Sequence, residues 1–66
     1  MSLIVNGKEV AYKKQETVAG LLNRLQFTFP LIIVKINGTL IKKKQYETTI
    51  VPDNARIDVV HMISGG

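Results

Sequence analysis

Apolar positions along this chain change period from strand-like to helix-like and back. Leu3-Ile4-Val5 and Val10-Ala11-Tyr12 are short apolar blocks on either side of Asn6-Gly7-Lys8-Glu9. Asn-Gly favours a tight hairpin, because a type I′ turn needs positive φ at both central residues. The first twelve residues therefore predict two antiparallel strands. Between Gln15 and Leu25 the period changes. Val18, Leu21, Leu22 and Leu25 fall at i, i+3, i+4 and i+7, one face of an α-helix. Thr17 stands just ahead of that face, where its hydroxyl can cap exposed backbone N–H groups. Gly20 has two readings: it weakens the first turn by about 1 kcal/mol relative to Ala, or it lets the helix approach a sheet closely. The helix must end before Pro30, and Phe29 is driven toward extended backbone.

Leu31 to Ile36 is a nearly continuous apolar run, which predicts a strand with much of both faces covered. Asn37-Gly38 and Thr39-Leu40-Ile41 repeat the hairpin signature. Lys42 to Ile50 reads as a loop with a short helical turn that places Tyr46 inward. Val51-Pro52-Asp53-Asn54 is a turn, with Pro presetting φ and Asp and Asn suiting the positions after it. Arg56 to Ile63 is the last strand. The order β-β-α-β-β-β has no linker, repeat or low-complexity segment, and one helix must cover one face of one sheet. The fold class is α+β. Two N-terminal strands, a crossing helix and a late return strand describe a β-grasp, ubiquitin-like topology, one mixed sheet of four to five strands on one helix. Pattern alone does not fix the strand order. Residues 1–63 form the domain and residues 64–66 a flexible tail.

Within the last strand Ile57 and Val59 share one face, and Arg56 and Asp58 the other. Val60 and Met62 then extend the Arg56/Asp58 face with apolar side chains. Left uncovered, they would form an exposed apolar patch beside the tail, a common mark of a partner site; a loop folded over them is the alternative. His61 has no Cys, paired carboxylate or second His nearby in sequence, which favours an ordinary strand histidine over a catalytic one. The tail, Ser64-Gly65-Gly66, offers a C-terminal carboxylate on small residues that can enter narrow channels.

Composition narrows the chemistry. A chain of 66 residues buries only about 60% of its unfolded surface, so its margin of stability is small. There is no cysteine, hence no disulfide and no thiolate nucleophile or ligand. No nucleophile–base pair, metal-ligand set or phosphate loop is legible. The longest aliphatic run, Leu31 to Val34, is far too short to span a bilayer, and the N-terminus lacks a signal peptide, so a cytoplasmic protein with no membrane partner is expected. Net charge is +4, concentrated in Lys42-Lys43-Lys44 with Lys13-Lys14 as a second pair. No aromatic residue alternates with them as a base-stacking platform requires, so no nucleic-acid partner is expected. A solvated loop and a dock for an acidic protein both fit the lysines.

The chain resembles the ThiS family, sulfur carriers of thiamine biosynthesis. The resemblance runs through Val5-Asn6-Gly7, Glu16-Thr17-Val18 with Leu21-Leu22, Val34-Lys35-Ile36-Asn37-Gly38, Tyr46, Ile50-Val51-Pro52-Asp53 and Ile63-Ser64-Gly65-Gly66. Lys43-Lys44 replace a Pro-Arg pair common in the family, and Asn54-Ala55 a frequent Gly-Asp. The resemblance implies a protein that is not an enzyme and binds no cofactor. A ThiF-type adenylating enzyme would use ATP and Mg²⁺ to activate the Gly66 carboxylate. A sulfur donor enzyme would convert it to a thiocarboxylate, and a ThiG-type thiazole synthase would accept the sulfur. Ser64 and Gly65 complete the tail, and Val60 and Met62 are the expected docking residues. A carrier for molybdopterin-type cofactor assembly has the same tail chemistry. A ubiquitin-like modifier is a further alternative, although Ser64 stands where ubiquitin-type tails carry Arg.

Overall fold

A computed structural model of the chain describes residues 1–27 and 32–61. Both Asn-Gly pairs turn hairpins. Strand β1 (Ser2–Val5) pairs antiparallel with β2 (Lys8–Ala11), and β3 (Ile32–Ile36) with β4 (Thr39–Ile41). At the turns, φ is 50° and 82° at Asn6-Gly7 and 50° and 84° at Asn37-Gly38, the positive values a type I′ turn demands. Strand β5 (Arg56–His61) joins the hairpins into one sheet of order β2-β1-β5-β3-β4, parallel to β1 and antiparallel to β3. This is the mixed β-grasp sheet expected from the sequence, with the strand order now fixed. The expectations for Phe29, Pro30 and Leu31, and for the strand beyond His61, concern residues outside those described.

Helix α1 (Val18–Arg24) is only seven residues long, too short to persist alone in water. Its ends explain why it forms here. The first three helical N–H groups, which no helix can satisfy internally, all find partners. Val18 donates to the Thr49 carbonyl at 2.9 Å, Ala19 to the Tyr46 carbonyl at 2.7 Å and Gly20 to Thr17 Oγ1 at 3.1 Å. At the other end Gln26 sits in the left-handed region (φ 63°). Gln26 N–H donates to Asn23 at 3.1 Å and Phe27 N–H to Leu22 at 2.8 Å, a Schellman cap built on Gln rather than Gly. Between the two readings of Gly20, contacts favour the local one. An added Cβ would meet Thr17 Oγ1 at 3.3 Å and Glu16 Cγ at 3.4 Å, the cap rather than the sheet.

The helix places Val18, Leu21 and Leu22 against Leu3, Val5, Val34, Ile36, Ile57 and Val59 of the sheet, all buried. The segment after β4 makes a short 3₁₀ turn (Lys43–Gln45) and delivers Tyr46 into the same core, as the sequence predicts, and Val51 of the following turn with it. Burial pushes the Tyr46 phenol pKa up. Arg24 ties the helix to the end of β2: it donates to both Glu16 carboxylate oxygens and to the Ala11 carbonyl, each at 2.9 Å. Those hydrogen bonds to Glu16 raise the Arg24 pKa further.

One expectation is corrected. Strand β3 is covered on one face, not on both. Val34 and Ile36 are buried under the helix, whereas Ile33 is half-buried and Lys35 exposed on the other side. Ile33 stands opposite Val60 across the β3–β5 pair, so apolar residues pair on this face without a second layer.

Candidate functional site

The uncovered face of the sheet carries Val60, the one sequence-predicted site residue that falls within the described residues. Val60 lies on it, next to last in the central strand, and is 50% exposed. Ile33 stands directly opposite Val60 across the β3–β5 pair. Exposed Ile4 and Leu40 extend the apolar surface toward the two hairpins, interrupted by Lys35, Arg56 and Asp58. Of the other sequence-predicted site residues, Met62, Ser64, Gly65 and Gly66 lie outside the described residues. His61 ends β5 opposite Ile32. No group of three or more His, Cys, Asp or Glu able to hold a metal occurs among the described residues, and no helix among them is long and apolar enough to cross a membrane.

Two residues that the sequence presents only as turn formers position β5. Asn6 uses its side-chain amide as a strand would use its backbone. Its Nδ2 donates to the Val59 carbonyl at 3.1 Å, and its Oδ1 accepts from the Val59 N–H at 2.8 Å. Pairing of β1 with β5 thus continues past Val5, where β1 itself has turned away. Asn37 does the equivalent at the start of β5. Its N–H donates to the Arg56 carbonyl and its Oδ1 accepts from the Arg56 N–H, both at 2.8 Å. For Asn6 the signal was the choice of Asn over Asp or Gly, since of the three only Asn carries both a side-chain donor and an acceptor. Strand β5 is thereby held at Arg56 and at Val59, and Val60 follows directly after the Asn6 clasp.

A cleft of about 480 Å³ lined by Lys35, Asn37, Gly38, Arg56 and Asp58 lies at the other end of β5. Its charges face each other, with Arg56 Nε 3.8 Å from Asp58 Oδ1, and Asn37 Oδ1 is engaged with the Arg56 backbone. The helix N-terminus is not an anion site either, since its donors already hold protein oxygens. What the described part of the molecule offers is a strand clasped at Val59 with an apolar residue, Val60, half-exposed next to it.

Comparison with known proteins agrees with this arrangement. The ThiS family model matches residues 3–66. An uncharacterized ycf40 protein from Porphyra purpurea is 26% identical over 100% of this chain and 93% of its own length. A second, from Trieres chinensis, is 26% identical over 98% of this chain and 89% of its own. The crystal structure of the thiamine biosynthesis protein ThiS from Geobacter metallireducens matches with a TM-score of 0.83 at 26% identity, covering 100% of both chains. A family match over nearly every residue, on a five-stranded mixed sheet with one covering helix, establishes that the chain belongs to the ThiS family.

Proposed function

We infer that this chain is a sulfur carrier that serves partner enzymes as a covalent co-substrate. Membership of the ThiS family supports a sulfur-carrier role in thiamine biosynthesis, the role of a small carrier rather than an enzyme. The observation that carries the reading is that the family match extends through Gly66, so that Gly65-Gly66 lies inside the matched region.

The reading requires a free carboxylate on Gly66. Such a group has a pKa of about 3.5 and is ionised and unreactive toward nucleophiles at neutral pH. On a ThiF-type enzyme a Gly66 carboxylate oxygen attacks the α-phosphorus of Mg²⁺-bound ATP, and pyrophosphate leaves. Sulfide-level sulfur from a donor enzyme then attacks the acyl carbon. AMP leaves and a thiocarboxylate remains, with no net oxidation or reduction. A ThiG-type thiazole synthase takes the sulfur from it. ATP and Mg²⁺ belong to the adenylating partner, and the carrier holds no cofactor of its own.

Residues 64–66 act as the tail and the folded body as the handle. Ordering the tail in a partner's channel costs roughly 1–2 kcal/mol per residue, which docking through Val60 and Met62 offsets. Glycine at the last two positions leaves the channel unobstructed. The test is the intact mass after incubation with a ThiF-type enzyme, ATP, Mg²⁺ and sulfide. Exchange of one oxygen for one sulfur, confined to the C-terminal peptide, is expected. No exchange with an enzyme proven active on its own carrier would overturn the reading.

A further inference from the structure

The net charge of +4 has one place in the fold. Elsewhere cations and acids match. Arg24 is bonded to Glu16, Arg56 lies 3.8 Å from Asp58, Lys8 and Glu9 are neighbours in β2, and Lys35 is offset in number by Asp53. What remains is Lys13, Lys14, Lys42, Lys43 and Lys44 against Glu47, all of them exposed. No ion pair among the described residues involves any of these lysines.

Backbone hydrogen bonds place both lysine sets around the start of α1, on the covered side of the sheet. The Lys13 carbonyl accepts from the Glu16 N–H at 3.3 Å, and the Glu16 carbonyl from the Val51 N–H at 2.9 Å. The Lys43 carbonyl accepts from the Tyr46 N–H at 3.1 Å, and the Tyr46 carbonyl from the Ala19 N–H at 2.7 Å. One set therefore adjoins the Glu16–Val51 end of this junction and the other its Ala19–Tyr46 end. Between those ends Thr17 and Ile50 form an antiparallel bridge. Ile50 is 49% exposed, as open as Val60, yet it stands outside the sheet.

We propose that Ile50, flanked by Lys13-Lys14 on one side and Lys42 to Lys44 on the other, is a second protein-docking surface. It takes an acidic partner that sets an apolar side chain against Ile50 amid carboxylates. The surface is separate from the open face of Val60 and does not rest on the sulfur-carrier reading. An apolar centre within a charged rim is the usual division of labour at an interface: burial holds the complex, and the rim steers the approach. A small anion fits poorly, because the first helical N–H groups already hold Thr49, Tyr46 and Thr17 oxygens, and the Lys42 N–H holds Gln45 Oε1. Nucleic acid fits poorly too. Tyr46 is buried and Tyr12 and Phe27 pack against the core, so no fully exposed aromatic among the described residues can stack on bases. Glu47, among the lysines, would meet a phosphate backbone with like charge.

The test is an amide-shift NMR titration of the whole chain with two probes, a hexaglutamate peptide and the same peptide with a central leucine. Shifts are expected at residues 13–16 and 43–50, with none at Ile33 or Val60. The leucine peptide should bind about fivefold more tightly, from burying the open half of one isoleucine. Ile50→Thr should abolish that gain, and Val60→Thr, at an equally exposed position, should keep it. Lys13→Gln/Lys14→Gln and Lys43→Gln/Lys44→Gln should each weaken both peptides about fivefold at low salt. Lys8→Gln/Lys35→Gln, with the same loss of charge, should stay within about twofold. No binding of either peptide, shifts centred on Ile33 and Val60, equal weakening by the Lys8/Lys35 pair, or a leucine gain that survives Ile50→Thr would overturn the proposal. So would tighter binding of a hexathymidylate strand, or of phosphatidylserine vesicles, than of the leucine peptide at the same salt. Sulfur transfer is not read, so this proposal and the sulfur-carrier reading can fail separately.

Discussion

Replacing Asn6 by Gly isolates the side-chain clasp on the central strand. Gly accepts the φ of 50° found at Asn6, so the turn is kept while both hydrogen bonds to Val59 are lost. A typical hydrogen bond contributes about 1 kcal/mol net, so the loss is about 2 kcal/mol, part of it returned by relief of the left-handed backbone. Asn37→Gly is the matched control. Asn37 has the same φ of 50°, hence the same backbone relief, but its side chain makes a single hydrogen bond, at an exposed site. Its backbone N–H keeps the Arg56 carbonyl in either variant. The difference between the two variants should be about 1 kcal/mol, with Asn6→Gly the less stable. In a domain of this size that corresponds to about 4–8 °C in Tm, out of a total stability of roughly 3–10 kcal/mol. Thermal and urea unfolding followed by circular dichroism measure it. Hydrogen exchange adds a local readout, since the Val59 amide should lose protection in Asn6→Gly alone. Equal melting temperatures, or an unaltered Val59 amide, would show that the clasp contributes nothing beyond the turn.

Three other outcomes follow from the same geometry. Gln26→Gly removes a non-glycine residue from the left-handed helix cap (φ 63°) and should raise stability by about 1 kcal/mol in urea titration. Tyr46 has a raised pKa in the folded state, caused by burial. Its contribution is fully present below the ordinary tyrosine value near 10 and is lost as pH rises through the folded value. Stability should therefore fall more steeply above that pH in the wild-type chain than in Tyr46→Phe, as followed by urea midpoints. Val60→Glu, at a half-exposed position, should leave Tm nearly unchanged yet weaken binding to the adenylating enzyme at least about tenfold, as one buried apolar anchor is lost. Ile4→Glu, on the same face but beside β2, serves as the control.

Much of the fold was legible because local chemistry decided it. Asn-Gly demanded type I′ turns, and both are present. Thr17 and the Val18, Leu21, Leu22 spacing marked a helix that begins where the cap lies. What escaped was non-local. The parallel pairing of β1 with β5 joins residues more than fifty positions apart, and no periodicity encodes a partner. The apolar run from Leu31 to Ile36 suggested two covered faces, because periodicity cannot separate a residue under a helix layer from one that only stands opposite an apolar neighbour, as Ile33 stands opposite Val60. The helix stop at Gln26 was hidden because Gln carries no left-handed preference, and its conformation is imposed by the Schellman bonds. At the site, the broken alternation of the last strand placed Val60 on the Arg56/Asp58 face but left open whether a loop covered it; it is half-exposed. The two asparagine clasps stayed hidden, since their turn role already explained them.

The position of β5 bears on how the molecule is made. Among the described residues it is the last element in chain order, and it is the middle of five across the sheet. Until residues 56–61 have been synthesised, the two hairpins share no strand, and each is a ribbon that is marginal on its own in water. Assembly must therefore be late and all-or-none, rather than growing from the N-terminus as chains of independent units do. A nascent chain interrupted before β5 would present two unpaired hairpins to proteases and no finished surface to any partner. The strand that completes the sheet is also the one that carries Val60, so the surface proposed for docking comes into existence only when the body is whole.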